Sequence, residues 1–215
     1  MRSSSIIFYI DTSSSTLVAG LIKDDMLLGE IKETLGKDLS TNTLYLIEKM
    51  FNECSVDVND INKIIVVNGP GSFTGIRIGI TIAKTYAWAL QKKITTISSL
   101  EAMSVSTKEE KNKIPYIDAR RGYVFAGIYN NNNELVLENQ YIKFDDLLEI
   151  ATKLNAPHVF ISNDKLIEQQ IEYNPDILEI VNYSKFKEEI NPHAVNPIYL
   201  KKTEAEETKG INAEW

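Results

Sequence analysis

The sequence predicts an α/β protein built from two similar halves, and three observations carry that reading. Apolar runs of strand length alternate with segments whose apolar residues recur every three or four positions. Tyr9-Ile10-Asp11, followed after seven residues by Ala19-Gly20-Leu21, returns as Tyr116-Ile117-Asp118 and Ala126-Gly127-Ile128, an offset of 107 without a gap. That offset is half of the 215-residue chain, and each copy runs through a polar turn into a further apolar strand. A period this long excludes a solenoid, whose repeats span a few tens of residues.

The elements follow in order. Ile6–Asp11, Leu17–Ile22 and Met26–Ile31 read as three antiparallel strands, the last two joined by the turn Lys23-Asp24-Asp25. From Ser40, Leu44, Ile47, Phe51 and Cys54 keep helical spacing, with Ser40 or Thr41 as N-cap. Lys63–Val67 is a β-branched run that feeds a glycine-rich loop, after which Ile76–Leu90 is helical. Ile94–Ile97 reads as a short strand, and Ser98 or Ser99 caps a helix over Leu100–Val105. The polar stretch 106–113 marks a boundary, so the sequence divides into subdomains 1–107 and 108–200 and a polar tail 201–215. Beyond the second three-strand unit, Phe144–Leu154 and Asp164–Ile171 read as helices, and His158–Ile161 and Ile177–Val181 as strands.

Composition excludes several classes. With 25% charged and 43% hydrophobic residues the chain is neither disordered nor collagen-like. A chain of this size buries roughly 70% of its extended surface, so it needs no metal or disulfide to fold. Net charge is −7, with 10 basic and 11 acidic residues before position 108 and 13 and 19 after it. Basic residues cluster only as pairs, Lys92-Lys93, Arg120-Arg121 and Lys201-Lys202, which argues against direct, tight binding of nucleic acid. Cys54 is the sole cysteine and the first apolar run ends after five residues, so we expect a cytoplasmic protein without a membrane segment.

The loop Gly69-Pro70-Gly71-Ser72-Phe73-Thr74-Gly75 is the most distinctive motif. Its glycines allow positive φ or close backbone approach, and Thr74 is placed to cap the next helix. A strand-to-helix loop of this kind suits an anion. It is neither a P-loop, a dinucleotide fingerprint nor a nucleophile elbow, and a plain tight connection explains it equally well. Gly75, Gly79, Ala83 and Ala87 then form a smooth stripe along one helix face. Its neighbour is either the protein's own sheet or another subunit, and the apolar surplus of Ile76, Ile80 and Trp88 favours the subunit, with Tyr45 and Phe51 of the preceding helix alongside.

Asp11, Thr12 and Ser13 are candidate nucleotide-binding residues, a carboxylate at a strand end followed by hydroxyls, although the turn has no glycine to close on phosphate and turn formation is the commoner use of such residues. No catalytic set emerges. His158 and His193 belong to no ligand-spacing motif, and one cysteine cannot complete a zinc site, so neither catalytic nor metal-binding residues are assigned.

Four blocks occur in a telling order: Phe8-Tyr9-Ile10-Asp11-Thr12-Ser13, Asn68-Gly69-Pro70-Gly71-Ser72-Phe73-Thr74-Gly75-Ile76-Arg77-Ile78-Gly79, Asp118-Ala119-Arg120-Arg121-Gly122-Tyr123-Val124-Phe125 and Pro197-Ile198-Tyr199-Leu200. Together they resemble the bacterial TsaB family, related to TsaD and to proteins labelled glycoproteases, over nearly the whole chain. The chain departs from the family pattern at Leu39, where a histidine commonly precedes Ser40. The resemblance implies an actin/Hsp70/sugar-kinase-like fold of two duplicated subdomains. It further implies a non-enzymatic accessory subunit for threonylcarbamoyladenosine formation at position 37 of ANN-decoding tRNAs. The implied partners are TsaD in a heterodimer, the ATPase TsaE with it, a second copy when TsaD is absent, and tRNA only through the complex. No cofactor of its own is implied, with ATP or ADP placed at interfaces of the complex. The same resemblance puts the partner interface on the helices after Ser40 and after Gly75. The runner-up is an ATP-dependent small-molecule phosphotransferase of the same fold.

Overall fold

A computed structural model describes residues 5–201, so the tail assigned to 201–215 lies, beyond Lys201, outside the described residues. Strands β1 (Ile6–Asp11), β2 (Thr16–Lys23), β3 (Met26–Thr34), β4 (Ile61–Val67) and β5 (Ile94–Ile97) form a sheet in the order β3-β2-β1-β4-β5. Strands β6 (Asn112–Asp118), β7 (Tyr123–Tyr129), β8 (Leu135–Lys143) and β9 (His158–Ile161) form a second sheet in the order β8-β7-β6-β9. In both, the first three strands are antiparallel and the next joins the first in parallel. The two mixed sheets with their helices are the α/β architecture expected.

The helices are α1 (Leu39–Glu53), α2 (Phe73–Ala89), α3 (Ser99–Ser106), α4 (Phe144–Lys153) and α5 (Ile177–Ser184). Side-chain packing sorts them into layers. α1 and α2 cover one face of the first sheet, where Phe8 lies fully buried between Phe51 and Tyr86 with ring centroids at 5.6 and 5.7 Å. α3 and α5 cover the other face through Ala102, Val105, Ile177, Ile180 and Val181. α3 also turns Leu100 and Met103 to the second sheet, against Tyr129 and Ile161. Leu147 and Ala151 of α4 close the far side of that sheet against Ile114, Tyr116 and Ala126.

Several expectations are corrected. Ile177–Val181 is the start of a helix, because Ile177, Ile180, Val181 and Ser184 bury one helical face and the Asp176 side chain accepts from the Glu179 N–H at 3.1 Å. Residues 164–171 are not helical. Gln170 Nε2 donates to the Ser162 and Asp164 carbonyls, both at 3.1 Å, and Tyr116 Oη donates to the Asp164 carbonyl at 2.6 Å, so side chains satisfy groups a helix would have used. α1 begins at Leu39 behind a short 3-10 turn, neither Ser40 nor Thr41 caps it, and its inward residues are Leu39, Thr43, Ile47, Met50 and Phe51, leaving Leu44 exposed. Ser72, not Thr74, caps α2, accepting from the Gly75 N–H at 3.2 Å. The division at 107/108 is simpler than the chain, since α5 returns to the first sheet and Ile190 exchanges backbone bonds with Ile94.

The repeat is also out of step in one strand. Ile10 pairs with Ala19 in the first hairpin, whereas Tyr116 pairs with Ala126 in the second. Ala19 and Ala126 both face the outer helices, but Tyr9 faces the α3/α5 layer while Tyr116 faces α4. The constant offset therefore equates β2 with β7 in register and places β1 and β6 one residue apart, which inverts their side chains.

Candidate functional site

The glycine-rich loop connects β4 to α2 and is tied to its own chain at several points, while Ser72, Phe73 and Thr74 are exposed and, with Gly71, line the cleft between the two sheets. Gly69 and Gly71 have φ of 105° and 154°, and the Gly69–Pro70 bond is cis. A β-carbon on Gly71 would fall 2.3 Å from the Ser13 carbonyl oxygen, and one on Gly75 would fall 2.1 Å from that of Thr12. This closeness lets Ser72 N–H donate to Ser13 O at 2.7 Å and Thr12 Oγ1 donate to Gly75 O at 2.7 Å. Ser99 donates its N–H to Gly69 O at 2.9 Å and its hydroxyl to Pro70 O, tying α3 to the same loop.

The closing segment completes the unit. Ile198 N–H donates to Asn68 O at 2.7 Å. Tyr199 stacks on Phe73 with centroids 5.4 Å apart, and the Arg77 guanidinium lies 3.7 Å from the Phe73 centroid while its Nε donates to Tyr199 Oη at 2.8 Å. Two motifs separated by most of the chain are thus one clasp, and Arg77 is its hinge pin rather than a free cation.

The smooth stripe faces inward. Gly79 leaves room for Thr12, whose Oγ1 would sit 2.5 Å from an added β-carbon, and Ile76, Ile80, Ala83, Ala87 and Phe51 are all buried within the chain. These six positions, proposed for a subunit contact, are core. Of the apolar surplus that suggested otherwise, Ile76 and Ile80 are absorbed by the face of β1 and β4, and Trp88 is not. Of that set only Tyr45 is open, at 65% exposure, and Leu44 and Trp88 join it on the outer surface of α1 and α2 at 55% and 65%.

Between the two sheets lies a cleft of about 570 Å³, with Asp11 and Ser13 on one wall, Asp118 and Arg120 on the other, and Tyr173 also lining it. Asp11 Oδ1 accepts the Ser13 N–H at 2.7 Å and Asp118 Oδ1 the Arg120 N–H at 2.8 Å, so both hairpins end in the same carboxylate-braced turn. Burial pushes the Asp11 carboxyl above its ordinary range, and the Ser13 bond opposes that shift only in part. Burial also raises the Tyr9 and Tyr173 phenols, helped by the Asp11 charge. The turn amide of Ser13 and the hydroxyl of Thr12 are already used, so of the nucleotide triplet Asp11 and Ser13 line the cleft and Thr12 is turned into the helix packing.

His158 is half-buried, edge-on to Phe160 at 5.6 Å, and His193 sits in a 3-10 turn at 192–194. Among the described residues no three His, Cys, Asp or Glu side chains converge as a metal site would require. Sequence reasoning missed Lys113, assigned to the polar boundary but 2% exposed in β6, its Nζ directed to Thr107 O at 3.4 Å and to Asn133 Oδ1. The signal available was its place one residue before the apolar run from Ile114. Among the described residues no helix is long and apolar enough to cross a membrane.

Comparison with known proteins agrees with this frame. Residues 31–206 match the family model described as TsaD: tRNA N6-adenosine threonylcarbamoyltransferase. The chain is 34% identical to the tRNA threonylcarbamoyladenosine biosynthesis protein TsaB of Bacillus subtilis, over 93% of this chain and 96% of that one. It is 27% identical to the Escherichia coli protein of the same name over 59% and 55% of the two chains. YeaZ from Pseudomonas aeruginosa superposes with a TM-score of 0.71 at 19% identity, covering 91% of this chain and all of that one. A second Pseudomonas aeruginosa structure, described as similar to peptidase YeaZ, reaches a TM-score of 0.78 at 19% identity over 92% and 100%.

Proposed function

From the premise that this chain belongs to the TsaB family, whose members are named for tRNA threonylcarbamoyladenosine biosynthesis, we propose that it is the non-catalytic subunit of the threonylcarbamoyl-transferring complex. In this reading it holds TsaD in a productive arrangement, TsaE joins the pair, and the chain pairs with itself when TsaD is absent. The observation that carries it is the set of hydrogen bonds that ties the glycine loop to its own chain. Hydrogen-bonding groups that could have cradled a phosphate, Ser72 N–H, Ser13 N–H and Thr12 Oγ1, are spent on the chain itself, so the motif acts as an internal brace. That brace fixes α2 against β1 and leaves Leu44, Tyr45 and Trp88 as apolar side chains facing outward from α1 and α2, a surface suited to a helical partner face. Depletion of the protein should remove the modified nucleoside from digested tRNA, and co-sedimentation with TsaD should be lost on Trp88→Glu; unchanged nucleoside content would refute the reading.

A second reading, an ATP-dependent phosphotransferase, is favoured only by Asp11 standing in the interlobe cleft. Turnover of ATP by the purified chain, abolished by Asp11→Asn, would support it over the first.

A further inference from the structure

The sequence clusters its basic residues only as pairs, and the fold brings Arg120-Arg121 together with Lys143 and Lys201 at one end of the second sheet. Tyr123, at the start of β7, stands opposite Lys143 of β8 and stacks on Tyr141, with ring centroids 4.6 Å apart and planes within 9°. Lys201 Nζ lies 5.4 Å from the Tyr141 ring centroid, delivered by the clasp segment that carries Tyr199. Arg120 and Arg121 form the turn immediately before Tyr123, both at positive φ, with Arg120 O accepting the Tyr123 N–H at 3.1 Å. Arg120, Arg121, Lys143 and Lys201 are all exposed, and none takes part in the ion pairs formed among the described residues. Asp118, at the base of the turn, has its Oδ1 occupied by the Arg120 N–H.

Four cations thus neighbour two parallel rings in sequence, in strand pairing or in direct contact, on a chain whose net charge is −7. Cations gathered on one surface raise the local potential and attract a polyanion there, whatever the sign of the net charge. Cations alone would fit any polyanion. The half-exposed aromatic stack adds a flat apolar surface to which a base, but not a ring-free polymer, can add. We propose that the open end of the second sheet, Arg120, Arg121, Tyr123, Tyr141, Lys143 and Lys201, is a contact surface for single-stranded RNA, with phosphates on the cations and a base against the tyrosine stack. This rests on the reading of the chain as part of a tRNA-modifying assembly and goes beyond it, because there the RNA was expected to be held by the partners alone.

The test uses the full chain, alone and with TsaD, and a fluorescein-labelled single-stranded RNA of roughly 12 nucleotides, titrated at about 50 and about 200 mM salt. Reversing both turn charges, Arg120→Glu with Arg121→Glu, should weaken binding about tenfold and flatten its salt dependence. Tyr123→Ala should weaken it about fivefold or more with the salt dependence kept, while Tyr123→Phe, which preserves the stack, should bind as the parent does. Binding unchanged in both the charge and the Ala variants overturns the proposal. So does heparin bound as tightly as RNA with Tyr123→Ala having no effect on either, since the patch would then be a mere charge cluster. Co-sedimentation of the same variants with TsaD separates the two claims: retained pairing with unaltered RNA binding refutes only this one, and absent pairing in the parent refutes the reading beneath it.

Discussion

The hydroxyl of Thr12 donates to the backbone carbonyl of Gly75 at 2.7 Å, so the turn that ends β1 is stapled to the first turn of α2. The same turn meets Gly79 one helical turn further on, and no side chain separates strand end from helix along that length.

Adding one methyl group there should be costly. Gly75→Ala puts a carbon 2.1 Å from a backbone oxygen that cannot move without breaking the β1–β2 turn. We expect a loss of about 3 kcal/mol, read as a fall in Tm of roughly 6–12 °C for a chain of this size. Thr81→Ala, on the exposed face of the same helix, should stay within about 0.5 kcal/mol of the parent.

Bulk on the stripe and charge on the outer face should have opposite signatures. Ala83→Trp places an indole in a fully buried position and should yield a chain that fails to fold cooperatively. Trp88→Glu, at a largely exposed position, should leave the thermal transition near that of the parent and abolish self-association in sedimentation. Cooperative unfolding of Ala83→Trp at the parent's Tm would place the stripe at a surface after all.

The carboxyl of Asp11 gives a pH test with a defined sign. Its folded pKa is raised by burial above the unfolded value, so between the two the native state holds more protons, and stability falls as pH rises through that window. Asp11→Asn keeps the acceptor for the Ser13 N–H and removes the titration. The variant should be the more stable at pH 7, and its advantage should vanish below the ordinary carboxylate pKa of about 4, as chemical denaturation at a series of pH values would read.

Releasing the clasp should loosen one segment and spare the rest. Arg77→Met removes the cation over Phe73 and the donor to Tyr199 at a solvent-exposed site. A cost of about 1 kcal/mol is expected, with faster amide exchange at Ile198, whose N–H is held by Asn68 O, and unaltered exchange in β1.

Much of the frame was readable because periodicity is local. Ile6–Asp11, the 61–67 strand and the two long N-terminal helices each show their period within a dozen residues, and Asp24-Asp25 make the expected tight hairpin with φ of 49° and 66°. What failed depended on neighbours. Ile177-Leu178-Glu179-Ile180-Val181 is too short to separate strand from helix by period, and its fate is set by the apolar face of the first sheet. The stripe from Gly75 to Ala87 announces a close approach without saying of what, and the backbone of Thr12 answers that question. At the candidate RNA surface Arg120-Arg121 was visible as a pair and Lys143 as a lone cation, and only β-pairing of Tyr123 with Lys143 and the path of the clasp to Lys201 unite them.

Helix α3 carries a consequence for how the chain can be divided. Leu100 and Met103 belong to the core of the second sheet, Ala102 and Val105 to that of the first, and of its eight residues only Glu101 and Ser106 retain appreciable solvent contact. A nick after Thr107 would leave this helix on the first fragment with half its side chains bared, and would strip the same fragment of α5. Neither piece is then a free-standing fold, and activity from two separately produced fragments would require them to be mixed and to re-form one shared interior, as in fragment complementation. The ancestral duplication read in the sequence is thus no longer separable into its copies.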